Sequence, residues 1–254
     1  MYSVMKEPLP DLAAYLRRIG IEEETLEPTK ENLDRLIHAQ LTHVPFEDIT
    51  VHRDKECPDL AIPALFDKIV TRRRGGYCFE LNGLFYALLQ AVGYEVYPVA
   101  CRIRYGFDMI RPLSHRASVV TIGGQKYFAD VGYGGPSARC AVPFGGEAEG
   151  FFVAEDDIFT TVFRHEEDGD KPVISFDDRP FLPMDFIPLN YQIAMGPGSY
   201  FQMMLLVNLS TDTGSKSITG DVYKCHDNGQ VTERKLESDE ELLRTLKDEF
   251  GICL

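Results

Sequence analysis

The segment Arg74-Gly75-Gly76-Tyr77-Cys78-Phe79-Glu80-Leu81-Asn82 is the stretch of this 254-residue sequence best suited to chemistry. Its two glycines allow the backbone a tight turn and a close approach to a ligand. Cys78 then falls in the first turn of an amphipathic helix running to about Val92, with Leu81, Leu84, Phe85, Leu88 and Leu89 on its apolar face. The unpaired N–H groups and positive dipole end of such a helix favour thiolate over thiol. The same groups can face the oxyanion of a tetrahedral acyl intermediate. A cysteine that only filled space would need neither the glycine pair nor the helix end.

A thiol nucleophile also needs a base. Residues 114 to 131 read as a β-hairpin turning at Gly123-Gly124. A two-residue loop there pairs Ala117 with Asp130 and His115 with Gly132. Asp130 then becomes the diagonal, same-face neighbour of His115, about 7–8 Å away between backbones. A slip of the register by two residues would oppose them directly, still on one face. Either way the hairpin presents an imidazole backed by a carboxylate, the base and orienter of nucleophilic catalysis. The candidate catalytic set is Cys78, His115 and Asp130.

Competing chemistries find less support. His38 reads as a helical surface or core residue and His43 as an anchor of the turn Val44-Pro45-Phe46-Glu47, while His52, His165 and His226 have no partner legible in the sequence. There is no Gly-x-Ser-x-Gly elbow, no His-Glu-x-x-His and no phosphate-binding glycine motif, so no metal is expected. The six cysteines, at 57, 78, 101, 140, 225 and 253, show neither a Cys-x-x-Cys pair nor zinc-like spacing. Five read as small buried hydrophobes. A net charge of −14 argues against nucleic acid and anionic lipid as partners, since phosphate contact needs clustered Lys and Arg. No stretch approaches 18 apolar residues and Met1 to Glu7 lack an apolar leader core, so the expected location is the cytoplasm.

The elements that must hold these residues change character along the chain. Residues 1–92 read as helical: 11–20 with a Gly20 stop, a helix capped by Thr29, a third from Ala61 to Arg74, and the helix of Cys78. The third helix is expected to carry Arg72, Arg73 and Arg74 in its last turn, where they suit the dipole; a role for them at a small anionic ligand is the weaker reading. From Tyr94 the pattern is short strands, at 94–103, 117–122, 126–131, 150–153, 160–163 and 173–176. Pro180 to Gly198 reads as a loop. Strands at 203–209 and 216–224, and a helix after Ser238 with an acidic first turn, close the chain. The expected fold class is α+β, in three regions: 1–92 helical, 93–195 antiparallel β, and 196–254 mixed.

Taken together, Arg74 to Asn82, Val44-Pro45-Phe46-Glu47 and Asp130-Val131-Gly132-Tyr133-Gly134 resemble, in order and approximate spacing, the signatures of the arylamine N-acetyltransferases. The resemblance extends to residues 15–20, to the stretch from Asn190 through Pro197, Ser199 and Phe201, and to the closing helix. Departures are Met195-Gly196 before Pro197, where the family commonly has Thr or Ser, and an end at Leu254 without the tail of vertebrate members, so the chain is similar to the microbial type. The resemblance implies an N-terminal helical bundle, an antiparallel β-barrel and a C-terminal α/β lid, a cysteine-protease-like catalytic core. It implies a Cys78-His115-Asp130 triad and a ping-pong acetyl transfer from acetyl-CoA, through a thioester, to arylamines, arylhydrazines or arylhydroxylamines, as in xenobiotic metabolism. It also points to Phe46 and Tyr133 as an aromatic acceptor slot. Two other readings stand beside it: a triad thiol hydrolase or transglutaminase-like enzyme acting on another acyl donor or amide, and a binding module with an inert cysteine. The physiological acceptor, the acyl preference and the oligomeric state stay open.

Overall fold

The computed structural model describes residues 8–22, 26–155 and 158–254. The leader reading of Met1 to Glu7 falls outside these residues.

The helical region begins as its capping signals require. Helix α1 (Leu12–Arg18) is capped by the Asp11 carboxylate, which accepts from the Ala14 N–H, and α2 (Lys30–His43) by Thr29, whose hydroxyl accepts from Asn32 N–H. Strand β1 (Phe46–Glu47) and the short α3 (Ile49–His52) follow. The helix expected over 61–74 is shorter: α4 (Ile62–Phe66) widens into a π turn (Asp67–Thr71) and stops. Arg72, Arg73 and Arg74 therefore lie beyond it, Arg73 in the left-handed region at φ 54°. A cation from another helix serves this turn instead. Arg18, 5% exposed, reaches across from α1 and donates to the carbonyls of Ile69 at 2.9 Å and His43 at 2.6 Å. A buried tertiary cation has replaced the local cap.

Helix α5 (Cys78–Val92) passes through the middle of this bundle and ends at Gly93, φ 104°. It is buried on nearly every side, by Tyr15, Leu16, Leu36 and Leu65 on one flank and Val120 of the sheet on the other.

The β region contains β2 (Glu95–Ile103), β3 (His115–Ile122), β4 (Gln125–Ala129), β5 (Val142–Pro143), β6 (Glu147–Ala148), β7 (Phe151–Glu155), β8 (Thr160–Arg164) and β9 (Lys171–Phe176). Their antiparallel order is β5-β4-β3-β2-β9-β8-β7-β6, and a bridge from Phe144 to Val153 brings the two ends together. The result is a nearly closed barrel around Val99, Val119, Phe128, Val153, Val162 and Phe176. Turn chemistry set the β3–β4 register as expected, Ser118 opposite Ala129 and Ile122 opposite Gln125. The ladder ends at Ala129, so Asp130 leaves the strand just where it turns toward α5.

The stretch 180–198, expected as a loop, is mostly helix: a 3-10 turn (Pro183–Asp185), then α6 (Phe186–Met195). Its prolines do not oppose this, because Pro188 occupies the third helical position, where no intrahelical N–H bond is required. Helix α7 (Tyr200–Met203) delays the next strand to β10 (Leu206–Thr211). The single strand expected over 216–224 is two, β11 (Gly214–Thr219) and β12 (Val222–Asp227), turning at Gly220 with φ 61°. Strand β13 (Gln230–Lys235), exposed throughout, has no apolar alternation to announce it. Helix α8 (Asp239–Phe250), capped by Ser238, packs on this sheet through Leu246 and Phe250. The sheet takes β1 as a further member, Phe46 opposite Asn208. No described helix is long and apolar enough to cross a membrane.

Candidate active site

The three residues singled out for nucleophilic chemistry converge. Cys78 is the first residue of α5, where helix geometry leaves its N–H without an intrahelical partner. Tyr77 N–H donates to Glu80 Oε2 at 3.0 Å and fixes the entry to the helix. Beneath, Glu80 Oε1 accepts from the buried Lys68 Nζ at 2.7 Å. The glycine pair is used for close approach: a side chain at Gly75 would run into the Pro45 carbonyl oxygen at 2.0 Å.

His115 opens β3 and is 2% exposed; Asp130 follows β4 and is 6% exposed. The His115 Nε2 to Asp130 Oδ2 distance is 2.7 Å. That contact leaves Nδ1 as the ring nitrogen for the sulfur, and Cys78 Sγ itself lies 3.8 Å from the Ser114 carbonyl oxygen, one residue before His115. Burial opposes a charge on His115. The Asp130 carboxylate, by its charge and its hydrogen bond, and the Cys78 side chain, by hydrogen bond and charge, outweigh that opposition and push the imidazolium up to about 10. For Asp130 burial likewise opposes ionisation, and His115, Asn82 and the Gly132 N–H together hold the carboxyl below its ordinary value.

Two positioning residues were not assigned roles from the sequence. Asn82 lies one helical turn after Cys78, on the same face of α5. Its Nδ2 donates to Asp130 Oδ1 at 2.8 Å and to the Arg116 carbonyl at 2.6 Å, while its Oδ1 accepts from Val131 N–H at 3.0 Å. One amide thus ties α5 to β3, which carries His115, and to the turn after β4, which carries Asp130. Gly132 is the second. A Cβ there would lie 2.8 Å from Cys78 Cα and 2.7 Å from Asn82 Nδ2, so only glycine lets Asp130 come this close to α5. The i, i+4 spacing was the available signal for Asn82; for Gly132 it was its place in the stretch Asp130 to Gly134, which does not by itself reveal the close approach to α5.

The N-acetyltransferase family model matches residues 29–254. The chain belongs to the arylamine N-acetyltransferase family. It is 29% identical to human arylamine N-acetyltransferase 1 over 96% of this chain and 94% of that protein. Among solved structures, the arylamine N-acetyltransferase of Salmonella typhimurium superposes with a TM-score of 0.87 at 26% identity, covering 99% of this chain and 92% of that one. The Mycobacterium marinum arylamine N-acetyltransferase in complex with CoA superposes with a TM-score of 0.83 at 26% identity, covering 95% and 93%.

Around the family's signature residues stands an aromatic group. The Tyr133 ring meets His115 edge-on, centroids 5.8 Å apart. Phe46, half-buried, lies over Gly134, the residue after Tyr133, and is placed beside the glycine pair by Glu47 N–H donating to the Gly76 carbonyl at 2.9 Å. Both residues expected to form a slot therefore stand beside the group formed by Cys78, His115 and Asp130. Phe201, on α7, joins them 6.3 Å from Phe46. Nothing in its local spacing marked it out.

Proposed function

We propose that the chain is an acetyl-CoA-dependent arylamine N-acetyltransferase in which Cys78 is the acyl carrier, His115 the acid and base, and Asp130 the orienter. The observation that carries this reading is a cysteine at the start of a buried helix beside an imidazole whose Nε2 lies 2.7 Å from a buried carboxylate. In the first half-reaction the Cys78 sulfur attacks the thioester carbonyl. The carbon–sulfur bond to coenzyme A breaks, and the leaving thiolate takes the proton from His115. In the second, the amine attacks the acetyl-cysteine carbonyl, His115 accepts the amine proton, and collapse of the intermediate returns the sulfur to its pairing with the imidazolium. Asp130 stays ionised throughout and keeps the proton-transferring nitrogen toward the sulfur.

Phe46, Tyr133 and Phe201 would bury the ring of a flat acceptor while leaving its nitrogen beside Cys78. Arylamines, arylhydrazines and arylhydroxylamines fit such a slot. An alkylamine is protonated at neutral pH and has no ring to stack. Residues 1–92 then supply the nucleophile, 93–195 the base and orienter, and 196–254 the acceptor-side cover. All six cysteines are free, and a nucleophilic thiol suits a reducing compartment, so we place the enzyme in the cytoplasm.

The test is intact-protein mass spectrometry after incubation with acetyl-CoA, which should add one acetyl group at Cys78; an arylamine should then remove it. Clearance by water alone at the same rate would mark a hydrolase instead. An unmodified Cys78 would end the assignment.

A further inference from the structure

Helix α6 buries only Phe186, Asn190 and Ala194 of its ten residues, a stripe at intervals of four. Its outer face is open, with Ile187 59% and Tyr191 61% exposed. Packing alone would place an apolar side chain at the centre of such a stripe, because a buried amide is costly unless every polar atom finds a partner. Asn190, 3% exposed, finds all of them. Its Nδ2 donates to the Pro58 carbonyl at 2.9 Å and to Cys57 Sγ at 3.1 Å, and its Oδ1 accepts from the Tyr77 hydroxyl. Two donors serve the Cys57-Pro58 stretch and the acceptor serves Tyr77.

Tyr77 is the residue immediately before Cys78 and is fully buried. Its ring stands edge-on to Phe201 at 5.4 Å and an interplanar angle of 84°. Phe201 belongs to α7, which is fastened to the end of α6 by the Ser199 hydroxyl donating to the Ile193 carbonyl at 2.7 Å and by Gln202 Nε2 donating to the Ala194 carbonyl at 2.8 Å. A displacement of α6 is therefore passed to α7, and through Phe201 to the acceptor side of the site.

We propose that Asn190 and Tyr77 form a polar pin that seats helices α6 and α7 on the nucleophile's loop and thereby positions Phe201 for the acceptor. Both are positioning residues: neither meets the reacting atoms, and the pin governs the second half-reaction. This rests on the acetyl-transfer reading given above.

The test uses Tyr77→Phe, which keeps the ring and removes only the hydroxyl, and Asn190→Leu, which keeps the branching of the side chain and removes its polar atoms. Hydrogen exchange across residues 186–203 should quicken in both variants relative to the parent, by about ten-fold or more in Tyr77→Phe, which loses one buried hydrogen bond, and by more in Asn190→Leu, which loses three. Acetylation of Cys78 by acetyl-CoA should stay within about two-fold of the parent. KM for an arylamine should rise by about ten-fold, and hydrolysis of the acetyl-enzyme should increase. The double variant should be no worse than Asn190→Leu alone, since the Tyr77 link is already broken in that single variant. Unchanged exchange overturns the proposal, as does an equal loss in both half-reactions or an arylamine KM that does not move. A parent that takes no acetyl group at Cys78 would sink the transferase reading, while the exchange comparison would still decide the pin.

Discussion

Replacing Asp130 by Asn keeps size and shape and removes one charge, so its effect can be worked from the geometry. Asp130 Oδ1 accepts from Asn82 Nδ2 and from Gly132 N–H, both at 2.8 Å. An Asn carbonyl oxygen would keep those two bonds, which turns its NH₂ group toward His115 Nε2. A donor there forces the ring proton onto Nδ1, the nitrogen facing Cys78, and the imidazole can no longer accept from sulfur or amine. The charge is lost as well. Holding His115 at about 10 against its ordinary 6.5 corresponds to about 5 kcal/mol, at about 1.4 kcal/mol per factor of ten. Without the carboxylate, burial acts on His115 largely unopposed and favours the neutral ring. Both effects point to a fall of about 10³–10⁴ in the rate of Cys78 acetylation. Stopped-flow measurement of the burst with an activated acetyl ester reads that step alone, and a melting curve shows whether the fold is intact. A variant within ten-fold of the parent, correctly folded, would remove Asp130 from the mechanism and refute the tautomer argument.

Alkylation by iodoacetamide should label Cys78 at pH 6 well before the other five thiols, since its imidazole partner stays charged up to about 10; peptide mapping showing no preference would break the ion-pair idea. Gly132→Ala should cost about 10²-fold or more in acetylation, because the new Cβ must push Asp130 away from α5, and full activity would show that the contact yields. Truncating Phe46 or Tyr133 to Ala should weaken arylamine turnover more than donor acetylation, whereas equal loss would make these rings mere core. The last concerns Asp48, whose carboxyl burial pushes up to about 8, the Leu206 N–H opposing and Glu47 adding to the rise. Between 3.8 and about 8 the unfolded chain releases a proton that the folded one keeps, so stability falls as pH rises through that window. Asp48→Asn should therefore gain in melting temperature over the parent from pH 4 to pH 8, and a difference that is constant with pH would contradict the shift.

Local rules carried much of the site. A glycine pair before an apolar helix put Cys78 at the helix start, and turn chemistry at Gly123-Gly124 placed His115 and Asp130 on one face without any tertiary contact being known. What failed did so where tertiary partners supplied what the local sequence lacked. Arg72 to Arg74 read as a helix cap because basic side chains suit a C-terminus, yet the helix stops before them and Arg18 from α1 takes the Ile69 carbonyl. Helix α6 was hidden by prolines that occupy positions where they cost nothing, and β13 by the absence of a buried face.

The sequence by itself determined which residues could react and which face of each element they share, since both follow from residue type and the periods of helix and strand. It determined the order of helical, β and mixed regions for the same reason. Only the tertiary structure decided how near the two halves of the site come. The distance between α5 and the β3–β4 hairpin depends on one missing Cβ at Gly132 and one amide at Asn82 bonding across it. Likewise Phe201 reaches the site through the seating of α6 and α7 on Tyr77, contacts between residues more than 100 positions apart that no local pattern encodes.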